Sequence, residues 1–355
     1  MSTLYIHIPF CNKKCPYCDF FSVAGLNDTI KDKYTQGLLE ELRVNKKHLK
    51  DGIKTLYFGG GSPVLLGIKN LSKIIKSIKP YLDYKTEITI EINPEHLEAQ
   101  SSLKESLVEL GFNRISIGVQ TTKPQILKLI ERKYKIQDLI ENIKWFKDNG
   151  VDISLDFMFA LPKQNISDLN NDIKFIKMTN PEHVSFYMFT PPDRYKHKDL
   201  CPNEKLTEKM FYTVHQGMLK YGYTHYEVSN FAKKGKQSRH NSVYWRRQSY
   251  IGLGAGAHSF IKKEKTRKWN HPDINSYIKA PTGSFGFEIL NKEQSRTEEI
   301  MLGLRLLNKG IKKDLLNKEK LKTLTEHKLL LVNKSRVTIN VKSLSIMDEI
   351  VKELL

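Results

Sequence analysis

Three thiols crowd into eight positions near the start of the chain, Cys11, Cys15 and Cys18, in the pattern C-x3-C-x2-C. Thiolates are soft ligands suited to zinc or to iron–sulfur clusters, and a loop this tight lets all three reach one centre. Structural zinc closes its shell with four ligands, whereas three cysteines leave one metal position open. His7 is near enough in sequence to be a fourth zinc ligand, so zinc stays an alternative. A [4Fe-4S] cluster with one iron free for an exogenous ligand is the favoured reading. Four cysteines in 355 residues are too few for a disulfide framework, and Cys201 stands apart from the rest. Clustered thiols without an export signal point to a reducing compartment, expected to be the cytoplasm.

A second set of polar and glycine residues falls where short strands should end. β-Branched and aromatic runs at 4–8, 55–58, 87–92, 114–119, 151–158 and 184–189 read as strands, and amphipathic stretches at 30–49, 68–78 and 136–149 read as helices between them. Six strands alternating with helices predict an α/β fold with a parallel sheet, closing as a partial (β/α)6 barrel. In such folds the loops at the C-terminal strand ends carry the chemistry. Residues 59–62 follow the second strand, 91–94 close the third, Gln120 ends the fourth and Asp156 lies late in the fifth.

The alternation stops near residue 195. Pro191, Pro192 and Pro202 lead into a helix over 204–221, a turn-rich region runs to about 287, and helix returns from 297, with a short strand at 336–341 before a last helix. Three segments are expected: a barrel core over 1–195, a turn-rich region over 196–290, and a C-terminal, mainly helical accessory domain of winged type over 291–355. No apolar run approaches the roughly 20 residues of a bilayer span. Apolar residues 4–10 run into Cys11, Lys13 and Lys14 without a small-residue cleavage site, so no secretory signal is expected. Basic residues outnumber acidic ones 58 to 39, for a net charge of +19, but only 11 of the 58 are arginine. Lysines spread singly along the chain read as a solvated surface rather than a reader of phosphates and bases, and no DNA partner is expected.

Taken in order, C-x3-C-x2-C after a first strand and a glycine triplet after a second resemble the radical S-adenosylmethionine (radical SAM) superfamily. Tyr5-Ile-His7-Ile-Pro9-Phe10-Cys11, Gly59-Gly60-Gly61-Ser62-Pro63, Glu91-Ile-Asn93-Pro94-Glu95, Ser116-Ile-Gly118-Val-Gln120 and Leu155-Asp156 narrow it. They resemble the oxygen-independent coproporphyrinogen III dehydrogenases and their HemW heme-chaperone relatives, over nearly the whole chain. The resemblance implies that Cys11, Cys15 and Cys18 ligate the cluster, whose open iron is chelated by the amino and carboxyl groups of S-adenosyl-L-methionine (SAM). The reduced cluster then cleaves the sulfonium to a 5′-deoxyadenosyl radical. It further implies that Gly60, Gly61 and Ser62, the last in place of a more usual threonine, contact the methionine group. Glu91, Gln120, Arg132 and Asp156 would surround the cofactor, with carboxylates on ribose hydroxyls or the α-amino group and Arg132 on the carboxylate. Tyr5 and Tyr17 would flank the cluster, bonding to the adenine or stacking on it.

The dehydrogenases resemble C-x3-C-x2-C-x-C and carry an N-terminal extension. Here Phe20 stands at the extra cysteine and Cys11 lies almost at the start, which favours the chaperone branch. Residues 239–245 contain H-N-x-x-Y-W, the motif associated with heme binding in HemW proteins. His240 is therefore the expected axial ligand of heme iron, with Tyr244 and Trp245 covering the macrocycle; His258 is the other imidazole close by. Three positions depart from the family: Tyr134 stands for a histidine, Lys163 follows a Leu-Pro usually flanked by glycine, and Pro192 stands for a glutamate. These touch the SAM side more than the cluster. The expected protein is a radical SAM-like heme carrier that passes heme to acceptor hemoproteins, a membrane-associated acceptor among them, rather than an enzyme of porphyrin synthesis. The alternatives are a coproporphyrinogen III dehydrogenase, which turns a propionate side chain into vinyl, and an RNA-modifying radical SAM enzyme.

Overall fold

The computed structural model describes residues 2–100, 102–283 and 285–355. Six strands form in the expected places: β1 (Ser2–Ile8), β2 (Ile53–Gly60), β3 (Glu87–Ile92), β4 (Arg114–Gln120), β5 (Asp152–Phe159) and β6 (His183–Met188). They pair in parallel in chain order. Every second residue is apolar and buried: Leu4, Ile6 and Ile8; Ile88, Ile90 and Ile92; Ile115, Ile117 and Val119; Ile153, Leu155 and Phe157. A period of two sends these side chains to one face of the sheet. They share one core with Leu38 and Leu42 of helix Asp28–Asn45, Ile74 and Ile78 of Ile68–Ile78, Ile143 and Phe146 of Ile136–Asp148, and Ile173 and Ile176 of Ile166–Thr179.

The intervening positions are polar, and on the concave side they leave a cavity of about 40 Å³ lined by Tyr57, Glu91, Arg114, Ser116, Asp156 and Tyr187 among others. Buried polar side chains need partners. Ser116 Oγ donates to Asp156 Oδ2 at 2.8 Å, and Ser154 Oγ lies 2.8 Å from His183 Nδ1. The polar face is thus a hydrogen-bonded interior, and the apolar core lies outside it.

The second half of the chain completes this sheet. Ile251–Leu253 adds a parallel strand outside β1, and the hairpin of Thr224–Glu227 and Asn230–Ala232 adds two antiparallel strands beyond β6, for nine in all. Ile-Gly-Leu is too short to show a period, which is why the sequence reading leaves it in a turn-rich region. An antiparallel sheet of His258–Ile261, Thr266–Asn270 and Phe285–Ile289 follows. C-terminal helices Lys292–Leu304, Lys318–Glu326 and Met347–Leu354 surround a second three-stranded antiparallel sheet. They have their own core, including Ile300, Leu304, Leu324, Val337 and Ile350. No described helix is long and apolar enough to cross a membrane.

Candidate functional site

β1 delivers the chain to the cysteine loop. The short strand Phe10–Cys11 pairs with Val23–Ala24, and Val23 N–H donates to Pro9 O at 2.7 Å, so the loop is clamped at its base. Within it Cys18 N–H donates to Cys15 O at 3.0 Å. Cys11, Cys15 and Cys18 are free thiols, each half-buried. Burial raises Cys11 and Cys18 above the usual thiol range, and negative charge on neighbouring thiols adds to it.

The glycine turn after β2 is stitched onto this loop. Gly61 N–H donates to Ile8 O at 2.9 Å and Ser62 N–H to Phe10 O at 2.7 Å. A Cβ on Gly61 would stand 2.6 Å from Phe10 O and 2.8 Å from Cys11 Sγ, and Gly60 holds φ at +123°, where a side chain is strained. Only glycine lets this backbone lie against the thiol loop. Gly60 N–H donates to Glu91 Oε2 at 3.0 Å and Tyr57 OH to Glu91 Oε1 at 2.7 Å. Burial pushes the Glu91 carboxyl up to about 7. Ser62 Oγ lies 2.9 Å from His96 Nδ1, and His96 Nε2 lies 3.2 Å from Asn12 Nδ2, beside Cys11.

Arg132 completes the mouth. Its Nη2 donates to Asn93 Oδ1 at 3.0 Å, Glu95 Oε2 at 3.1 Å and Gly118 O at 3.2 Å, while its buried Nε has no partner. A buried donor left unmade costs about 1–3 kcal/mol. Arg132 lies beside Cys15 and Tyr17, so an anionic group at the cysteine loop would satisfy it. The free thiols on one loop, the glycine turn lying against them and this orphaned donor fit an iron–sulfur cluster carrying an amino-acid ligand.

The remaining expected residues spread inward. Gln120 takes φ +66° at a bulge in β4, close over Gly118. Asp156 lies with Ser116 and Ser185 in the concave cavity, its carboxyl raised by burial. Tyr5 bonds His7 Nδ1 at 2.9 Å and stacks on Tyr57 at 6.1 Å. Tyr17 sits edge-on to Phe189 at 6.1 Å. His7 also has Nε2 at 3.0 Å from Phe21 O, so both its ring nitrogens are used and it is not free to be a fourth zinc ligand. The Tyr134 hydroxyl is within hydrogen-bond distance of Val119 O (2.9 Å) and Thr121 O (2.7 Å), pinning the bulge that holds Gln120. Lys163 takes φ +60° and its N–H donates to Leu200 O at 2.8 Å, and Pro192 O accepts from Tyr195 N–H at 2.8 Å.

The structure places His240 in the interior of the barrel. It is 1% exposed, with Nδ1 3.0 Å from Thr55 Oγ1, Nε2 2.8 Å from Tyr244 OH, and its ring stacked on Tyr57 at 4.9 Å and 29°. The N–H groups of Arg239 and His240 donate to Glu87 at 3.2 and 3.0 Å, and the Arg239 guanidinium donates to Lys85 O at 2.6 Å and Lys54 O at 3.2 Å. Those partners stand at or near the N-terminal ends of β2 and β3. Helix Arg239–Trp245 therefore closes the floor of the barrel, opposite the cysteine loop. Both ring nitrogens of His240 find hydroxyl partners within the chain.

His96, Asn12, Asn93 and Tyr57 are the residues that sequence reasoning misses. Asn93 and His96 sit in or beside the quoted Glu91–Glu95 motif and Asn12 adjoins Cys11, but nothing in their types ties them together across 84 residues.

A partial (β/α)6 barrel with three thiols on one loop and a glycine turn at its mouth defines the radical SAM fold, and residues 5–176 match the Radical SAM superfamily. The coproporphyrinogen III oxidase (HemN) of Escherichia coli shares this fold, with a TM-score of 0.84 at 20% identity over 99% of this chain and 90% of that one. The chain belongs to the HemW heme chaperone family. It is 37% identical to the heme chaperone HemW of Buchnera aphidicola subsp. Schizaphis graminum, over 78% of this chain and 75% of that protein. For HemW of Bacillus subtilis the values are 35%, 86% and 83%, and for HemW of Escherichia coli 34%, 76% and 74%.

Proposed function

We propose that this chain binds heme, holds a [4Fe-4S] cluster and SAM at the barrel mouth, and passes heme to acceptor hemoproteins in a reducing compartment, the cytoplasm. The observation that carries this reading is the likeness to named heme chaperones over three quarters or more of both chains. Cys11, Cys15 and Cys18 would hold the cluster. Gly60, Gly61 and Ser62 would offer backbone groups to the methionine part of SAM, Arg132 would bind its carboxylate, and Glu91, Gln120, Asp156, Tyr5 and Tyr17 would surround the rest. When bound, the reduced cluster can supply an electron to the sulfonium. In this chain Glu91 holds Gly60 in place, and the Tyr134 contacts fix the backbone around Gln120. The proposed division of labour puts cluster and SAM in 1–195, heme in 196–290 and an accessory role in 291–355.

Phe20 supports the carrier over the dehydrogenase. It stands 70% exposed on the cysteine loop where the dehydrogenases have a further thiol. The protein reconstituted anaerobically with iron and sulfide is expected to titrate with heme to a saturable Soret band, and to leave coproporphyrinogen III unchanged when given SAM and reductant. Catalytic formation of protoporphyrinogen would overturn the reading in favour of the dehydrogenase.

A further inference from the structure

The C-terminal part of the chain carries a cleft that the barrel chemistry does not use. It has a volume of about 710 Å³ and opens between the strand Ile311–Lys312, the start of helix Lys318–Glu326 and the turn into strand Arg336–Ile339. Lys312, Lys313, Lys318 and Arg336 line it, against a single carboxylate, Asp314. Buried Leu316 and Leu321 form its base. The three lysines are exposed, and none of the ion pairs among the described residues includes them. Arg336 is fixed at the rim, its Nε donating to Lys309 O at 2.9 Å and its Nη2 to Gly310 O at 3.1 Å. Lysines scattered singly over a surface need no partner, but four cations converging on one hollow raise a local positive potential there.

The lining selects the occupant. Nucleic-acid bases need aromatic faces to stack on and free guanidinium forks to read their edges. No aromatic side chain is among the lining residues, and the one guanidinium fork is engaged by backbone carbonyls. A lone phosphate or carboxylate is too small to meet cations on three separate elements. An extended acidic segment meets them all: its carboxylates reach the lysine heads while its apolar groups lie on the lysine stems and the two leucines. The place of the cleft gives such docking a purpose. Arg296 Nε donates to Leu315 O at 2.9 Å, joining the cleft to helix Lys292–Leu304. On the same helix Glu298 pairs with Arg247 Nε at 2.9 Å, and Arg305, just past its end, lies over the Trp245 ring at 4.4 Å. One helix thus bridges the cleft and the H-N-x-x-Y-W segment.

We propose that this cleft docks an acidic, extended segment of an acceptor hemoprotein and so holds the acceptor beside the H-N-x-x-Y-W segment. The acceptor's part rests on the heme-transfer reading above, whereas the docking chemistry is measured without heme. Fluorescence anisotropy of the full chain with a short labelled peptide of alternating glutamate and leucine tests it, with a labelled oligouridine RNA for comparison. The wild type should bind the acidic peptide, and more weakly as salt rises from about 0.1 M to 1 M, where the screening length falls from about 10 Å to 3 Å. The triple variant Lys312→Glu, Lys313→Glu, Lys318→Glu should lose at least tenfold in affinity, and the same three changed to glutamine should fall between. Lys69→Glu, Lys76→Glu, Lys79→Glu, a charge-matched change at exposed positions on and just after helix Ile68–Ile78, should bind as the wild type does. The cleft variants should keep the wild-type heme titration but slow heme transfer to an acceptor, leaving release to apomyoglobin unchanged. Equal loss in both glutamate variants would mean bulk charge, and tighter binding of oligouridine would give the cleft to a nucleic acid; either result overturns the proposal. Weakened peptide binding with unaltered transfer would remove the acceptor as the occupant. A wild type that transfers no heme would sink the heme-transfer reading while the peptide result stands by itself.

Discussion

Alanine at Cys11, Cys15 or Cys18 is expected to drop iron in the reconstituted protein from about four per chain to background, because a [4Fe-4S] cube with a SAM-bound fourth iron rests on three protein thiolates alone. No substitute donor stands ready. His7 has both ring nitrogens bonded, and His96 is held between Ser62 and Asn12. The clamp of Phe10–Cys11 on Val23–Ala24 is backbone pairing, so the loop should keep its path without a thiol. Cys201 is the internal control: its Sγ is half-buried and lies 3.9 Å from His197 O, in a separate turn. Iron and acid-labile sulfide assays of the four single variants decide the matter. Full cluster content in any of the first three, or its loss from Cys201→Ala, would contradict the ligand set.

His240→Ala should destabilise the fold by about 2–4 kcal/mol. The substitution deletes a buried ring, leaves Thr55 and Tyr244 without their partner, and opens a hole beside Tyr57. The cost should also depend on pH. Burial holds His240 down to about 3, whereas the unfolded imidazole titrates near 6.5. Between those values the unfolded chain binds a proton that the folded chain refuses, so this histidine makes stability rise with pH in that window. The alanine variant lacks this proton, and its deficit should be greatest above pH 7. It should shrink by roughly 1.4 kcal/mol for each unit below about 6. The other lowered histidines, His7, His183 and His225 among them, are common to both proteins and cancel in the difference. Urea unfolding of both proteins from pH 5 to 8 measures it. Wild-type stability in the alanine variant at every pH would contradict this packing role.

What sequence could and could not disclose follows from range. The runs Ile88-Ile90-Ile92 and Ile115-Ile117-Val119 show their period within a few residues, so the strands and their parallel order are readable locally. The cysteine loop is equally local. The site around it depends on pairs far apart in the chain: Asn12 with His96, Arg132 with Asn93, and Tyr57 with Glu91. None of these has a periodic signature. The H-N-x-x-Y-W segment shows the same limit most sharply. Its place in the fold is set by Thr55 and Glu87, 185 and 153 residues away. Likewise the strand Ile251–Leu253 is recognisable only because β1 offers it a free edge.

The central claim, that this chain hands heme to other proteins, is tested most directly by the rate of heme transfer. Heme-loaded, cluster-reconstituted protein is mixed anaerobically with apo forms of hemoproteins from the same cells, and the Soret band of the acceptor is followed against apomyoglobin as a passive trap. Direct handover predicts a rate that climbs with acceptor concentration and exceeds the rate of release to the trap. A rate equal to spontaneous release at every acceptor concentration would contradict it.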